Sequence, residues 1–164
     1  GSLRNLRGTS LAGMNLKTLP PQLFRNNKKL VTIGMDDNLI EEFPQNFFAG
    51  LTDLENLFLY RNKIHMVTSN TFKDLENLKE LSLDYNNLRY FPTRVLQNNK
   101  KLEKINLGEN QLSNIVDSNF DFMEKLRFIE LKGNQCIKKL YGGYDSSSLV
   151  NLWELKNDIK TKCN

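Results

Sequence analysis

The chain has 164 residues, 39% of them hydrophobic, and a formal net charge of +4. That length suffices for one domain with a sizeable core. Lysines and arginines are interleaved with acids throughout, which excludes the basic arm of a protein that tracks a phosphate backbone, so no nucleic-acid partner is expected. No run approaches the roughly 20 apolar residues needed to cross a bilayer as a helix. No leader is visible either, although Gly1-Ser2 reads as a cloning remnant that leaves room for a native leader upstream.

A leucine returns every 24 positions, at Leu6, Leu30, Leu54, Leu78, Leu102 and Leu126, without insertion or deletion. Each unit reads L-x-x-L-x-L-x-x-N-x-L, then an aliphatic or Phe with a frequent Pro behind it, then a second Phe. A period in the twenties with this consensus is the signature of stacked leucine-rich repeats. The expected fold is an α/β solenoid with a parallel concave β-sheet, an irregular or short-helical convex side and a C-terminal helical cap. One domain is expected over residues 1–164, with repeats over about 6–135 and the cap over 136–164.

In chain order, the first unit is degenerate: Thr9 stands for an aliphatic residue and Met14 for the Asn. Solenoids need a covering element at each end. This end is therefore expected either to continue upstream or to be covered by another chain, which makes Leu6, Leu11 and Leu16 candidates for oligomerisation. In the following units Ile33 and Met35, Leu57 and Leu59, Leu81 and Leu83, Ile105 and Leu107, and Ile129 and Leu131 alternate with period two, predicting short strands with these side chains inward. Asn38, Asn62, Asn86, Asn110 and Asn134 form a ladder whose amides are expected to satisfy backbone groups where the chain leaves each strand. Leu19, Phe43, Val67, Phe91 and Ile115, three of them followed by Pro, begin a non-helical return. Phe24, Phe48, Phe72, Leu96 and Phe120 form a convex packed spine.

Cys136 and Cys163, the two cysteines, flank the terminal segment and read as a disulfide rather than a metal site, which needs more ligands. Persistent disulfides belong to oxidising compartments, so an extracellular protein, secreted or an ectodomain, is expected. Between the cysteines, Tyr141 to Ser148 reads as a loop. Ser148 reads as a helix N-cap, and Leu149, Leu152, Trp153, Leu155 and Ile159 follow at near-helical spacing, with Trp153 expected over the last repeat.

Together these features resemble the extracellular, 24-residue class of leucine-rich repeat proteins with a cysteine-bearing C-terminal cap, shared by Toll-type receptor ectodomains, adhesion proteins and secreted insect immune proteins. The resemblance covers residues 6–163, with two cap cysteines in place of the commoner four. It implies recognition of a protein partner, with a role in innate immunity or cell-surface recognition.

Strand positions between the inward residues must face the concave solvent side; Phe128 is among them. At the centre of that grid Phe58, Tyr60, Arg61 and Tyr85 cluster on adjacent strands, surrounded by Asp36, Asp37, Glu80, Asp84 and Glu109. Exposed Tyr, Phe and Arg are the usual anchors of protein interfaces, and the acidic surround favours a basic contact surface. The chain lacks a glycine-rich phosphate loop and an H-E-x-x-H motif, and His65 is its one histidine. No catalysis, cofactor or metal is expected. Oligomerisation through the N-terminal end and glycan binding stand as alternatives to protein recognition.

Overall fold

The computed structural model describes residues 5–145 and 147–163. Its strands β1 (Gly8–Ser10), β2 (Thr32–Gly34), β3 (Asn56–Phe58), β4 (Glu80–Ser82), β6 (Lys104–Asn106) and β8 (Phe128–Glu130) stack in parallel in that order. Each residue pairs with the one 24 positions later, as Leu57 does with Leu81 and Leu81 with Ile105. This is the solenoid the spacing predicts. The inward residues from Ile33 to Leu131 named above are fully buried.

The Asn ladder closes each coil. Asn86 Nδ2 donates to the carbonyls of Leu83 at 3.0 Å and, in the preceding coil, Leu59 at 3.0 Å, while its Oδ1 accepts from the Ile64 amide at 2.9 Å. Asn38, Asn62, Asn110 and Asn134 are buried and make the equivalent bonds. On the return side β5 (Tyr90–Phe91) and β7 (Asn114–Ile115) pair in parallel, and a 3-10 turn spans Asp117–Phe120. The convex spine Phe24, Phe48, Phe72, Leu96 and Phe120 is buried throughout.

At the C-terminal end the structure departs from the sequence expectation in four places. The stretch from Tyr141 is not all loop: β9 (Leu140–Gly142) adds to β8 antiparallel and ends the sheet. Gly142, at φ +74°, makes this possible, because a Cβ there would stand 1.9 Å from the Arg127 carbonyl oxygen. Secondly, the cap of helix α1 (Leu152–Lys162) is Asn151, not Ser148; its side chain accepts from the Glu154 amide at 3.1 Å. The chain does not turn helical earlier because Val150 is buried against the last coil, its amide donating to the Leu126 carbonyl at 2.7 Å. Thirdly, Trp153 does not cover the last repeat and is 76% exposed. Leu155 and Ile159, four apart, carry the burial, and Trp153 stands two residues before Leu155, roughly 200° round the helix. Fourthly, Phe128 is buried rather than facing solvent, because the chain after β9 folds over it.

The expected disulfide is present: Cys136 and Cys163 are bonded with their Cα atoms 4.9 Å apart. Cys163 is buried, and Cys136 packs half-buried against the core. Ion pairs from Lys156 to Asp121 and Lys160 to Asp117 hold α1 against the return side of the last coil.

Candidate functional site: the concave face

Beyond each short strand the chain passes through one left-handed residue before the ladder position, which holds a buried Asn in every coil but the first, where Met14 stands. That position is occupied in successive coils by Gly13, Asp37, Arg61, Tyr85, Glu109 and Gly133, with φ between +50° and +73°. Glycine takes this conformation freely, whereas a side chain makes it unfavourable by about 1–2 kcal/mol. The two outer coils use glycine and the four inner ones do not. The resulting ridge of side chains lies along one margin of the concave sheet.

Contacts run along the ridge. Asp37 and Arg61 form an ion pair at 3.8 Å, and the Arg61 guanidinium lies 5.7 Å from the Tyr85 ring centroid. Tyr85 is 52% exposed, a large aromatic surface left in water. The Glu109 carboxyl group leans over Gly133, within 2.6 Å of where a Cβ there would stand.

Immediately inside the ridge sit Asp36, Tyr60 and Asp84, all half-buried. The Asp36 carboxylate, which accepts a hydrogen bond from the Tyr60 hydroxyl, holds that phenol above its ordinary ionisation range, with burial adding to the effect. Burial pushes the Asp84 carboxyl up; its backbone hydrogen bond and the nearby Arg61 charge oppose the shift. Phe58, half-buried on β3, lies on the open sheet between Gly34 and Ser82. Seven of the nine residues singled out in the sequence, Asp36, Asp37, Phe58, Tyr60, Arg61, Asp84 and Tyr85, therefore line three adjacent coils, and Glu109 continues the ridge on the next.

Glu80 does not join them. It stands at the entry of β4, five residues from the ridge position Tyr85, which is roughly 16–17 Å along the strand direction. Its carboxylate is taken by a residue the sequence reading passed over: the Tyr144 hydroxyl donates to Glu80 Oε1 at 2.6 Å. The Tyr144 ring also packs edge-on against Phe128, with centroids 5.3 Å apart, and the Lys104 ammonium lies 3.6 Å from its centroid. Bonding to Glu80, with burial as the second cause, raises this phenol to about 12. Tyr144 thus reaches across β8 and β6 to β4 and occupies the strand-entry side of the sheet at its C-terminal end. The only signal for it was the Gly142-Gly143 pair, which marks a reversal without saying where the next side chain lands.

Among the described residues no cluster of three or more potential metal ligands occurs, and no helix is long and apolar enough to cross a membrane.

A family model described as leucine rich repeat matches the chain over residues 2–64, 28–88 and 52–103. No curated protein matches the sequence. Among solved structures, the leucine-rich repeat domain of the mosquito protein APL1B has a TM-score of 0.74 at 20% identity over 81% of this chain and 40% of that one. The mosquito LRIM1/APL1C complex gives 0.75 at 21% identity, over 80% of this chain and 24% of that one. An internalin, inlF, from Listeria monocytogenes gives 0.67 at 26% identity, over 81% of this chain and 36% of that one. The chain spans less than half the length of each of these structures.

Proposed function

Because the chain belongs to the leucine-rich repeat family, we propose that it is a non-catalytic recognition module holding a protein partner against its concave face, around Phe58, Tyr60, Arg61 and Tyr85. One observation carries this reading. Arg61 and Tyr85 stand exposed and in mutual contact on left-handed backbone where the outer coils have glycine. Both side chains stand largely in water, so their surface contacts do little to offset the backbone penalty, and retained strain of this kind is a pointer to a contact surface. Aromatic and Arg side chains are also the groups that anchor interfaces.

The partner presents a basic surface. Asp36, Asp37, Asp84 and Glu109 outnumber Arg61 around the aromatic centre, and opposite charge speeds encounter and suppresses wrong partners. The protein is extracellular on this reading, which the Cys136–Cys163 bond supports, since such bonds persist in oxidising surroundings. The likeness to the mosquito proteins, described as immune proteins, supports a place in innate immunity.

A photoreactive amino acid at position 85, in extracellular fluid of the source organism, is expected to cross-link the partner for purification. The double variant Phe58→Ala/Tyr60→Ala is then expected to bind it at least about 30-fold more weakly, equivalent to about 2 kcal/mol. Unchanged affinity of a correctly folded double variant would remove the concave face from consideration.

A further inference from the structure

We infer a second binding site, separate from the concave face, for an acidic oligosaccharide on the lateral flank just beyond the Asn ladder. Here the exposed side chains of Lys63, His65, Asn87 and Arg89, with half-buried Glu41 and Gln111 at the two ends, line an open cleft of about 520 Å³. They come from four successive coils. Three steps of strand spacing make the cleft roughly 14–15 Å long.

The backbone beneath it is fixed. The amides of Lys63, Asn87 and Gln111 each donate at 2.9 Å to the carbonyl of Ile40, Ile64 or Leu88 in the preceding coil, and that of His65 donates to Glu41 at 3.1 Å. Ile64 and Leu88, fully buried, form the floor between the outward positions. The platform is therefore set before any ligand arrives, which reduces the ordering that binding requires.

Its chemistry is that of an acidic sugar site. Lys63, Arg89 and His65 face a single acid, Glu41, which already has the Lys17 ammonium at 3.8 Å. Among the described residues no carboxylate forms an ion pair with Lys63 or Arg89, whereas Lys17, Lys29, Arg61, Lys79 and Arg127 all have carboxylate partners in an adjacent coil. Arg89 Nε donates to Gln111 Oε1 at 3.2 Å, which fixes the plane of the guanidinium and leaves its terminal nitrogens for a carboxylate or sulfate. The Asn87 and Gln111 amides offer donors and acceptors together, the pairing that sugar hydroxyls require. None of the six side chains is apolar, and His65 is the single ring among them, so the cleft suits neither a hydrophobic peptide nor the successive stacked bases of a single-stranded nucleic acid.

The test is calorimetric titration of the whole chain with a sulfated heparin hexasaccharide and, separately, with a carboxylated galacturonate oligomer, at about 0.1 M salt. Saturable one-to-one binding of either is expected, and the better ligand identifies the acid group. Lys63→Ala/Arg89→Ala should weaken it at least about tenfold with thermal stability unchanged. Phe58→Ala/Tyr60→Ala, on the concave face, should leave it unaltered, so this result is independent of the protein-recognition reading. The inference is overturned if neither oligosaccharide binds or if the cleft variant binds as tightly as the wild type. Equal loss on replacing the exposed pair Lys28 and Lys29, which bond Ala49 and Asp53 of the next coil away from the cleft, would overturn it too, as would equal binding of oligothymidylate of matched charge.

Discussion

The Asn ladder and the left-handed ridge sit side by side in the chain, yet their residues obey different rules. Asn86 is buried, and each of its amide atoms meets backbone in its own coil or the one before. Asn86→Ala leaves those groups in a dry interior and should destabilise the protein by about 1–3 kcal/mol in urea denaturation. One position earlier, Tyr85 is exposed at φ +54°. Tyr85→Gly and Tyr85→Ala both lose the contact with Arg61, but only glycine relaxes the backbone. The glycine variant should therefore be more stable than the alanine variant by about 1 kcal/mol, read from the same denaturation midpoints. The ladder was legible in the sequence because one residue type recurs at one spacing. The strain was not, since Asp37, Arg61, Tyr85 and Glu109 are four different residue types, acid, base and aromatic, and only their backbone angle unites all of them.

Elements were legible in proportion to their repetition. The parallel strands, the convex spine and the disulfide follow from regular spacing or from cysteine placement. The strand Leu140–Gly142 and the start of the helix occur once, in a segment rich in Gly and Ser where composition points to loop. There, contact with the last coil overrides local preference, through Val150 on Leu126 and Tyr141 on the helix. Trp153 shows the limit of helical spacing: the pattern placed an apolar face without fixing which of two adjacent residues points inward.

The cap is also held by charge. Asp158 accepts from the Tyr141 hydroxyl and from Lys162, each at 2.6 Å. Lys162, then Tyr141, lower its carboxyl to about 2, below the ordinary 3.8. Because the folded value is the lower one, this stabilisation is complete above about pH 4 and lost as pH falls toward about 2. The melting temperature of Asp158→Asn should thus lie below that of the wild type at neutral pH, with the difference shrinking across that window.

Across the whole molecule, neighbouring coils are stitched by ion pairs at the repeat spacing: Lys17–Glu41, Lys29–Asp53, Asp37–Arg61, Glu55–Lys79 and Glu103–Arg127. All but the half-buried Glu55–Lys79 and Glu103–Arg127 pairs are largely in water, and such pairs add little stability alone. Together they favour a stack in which every residue meets its counterpart one unit on, because a slipped register would separate the opposite charges. Tyr144 acts over a longer range, joining the cap to three strands of the sheet. Tyr144→Ala should uncover Glu80 and Phe128 without unfolding the coils. Carbodiimide coupling at Glu80, slow in the wild type, is expected to accelerate severalfold. Coupling at an unchanged rate would show that the phenol does not shield it.

Along the strand-entry side, that same phenol turns the concavity into a cul-de-sac. A segment laid along the stack meets a doorstop where the cap begins, so its position is gauged from a fixed end, and a ligand lying head-first is not equivalent to one lying tail-first.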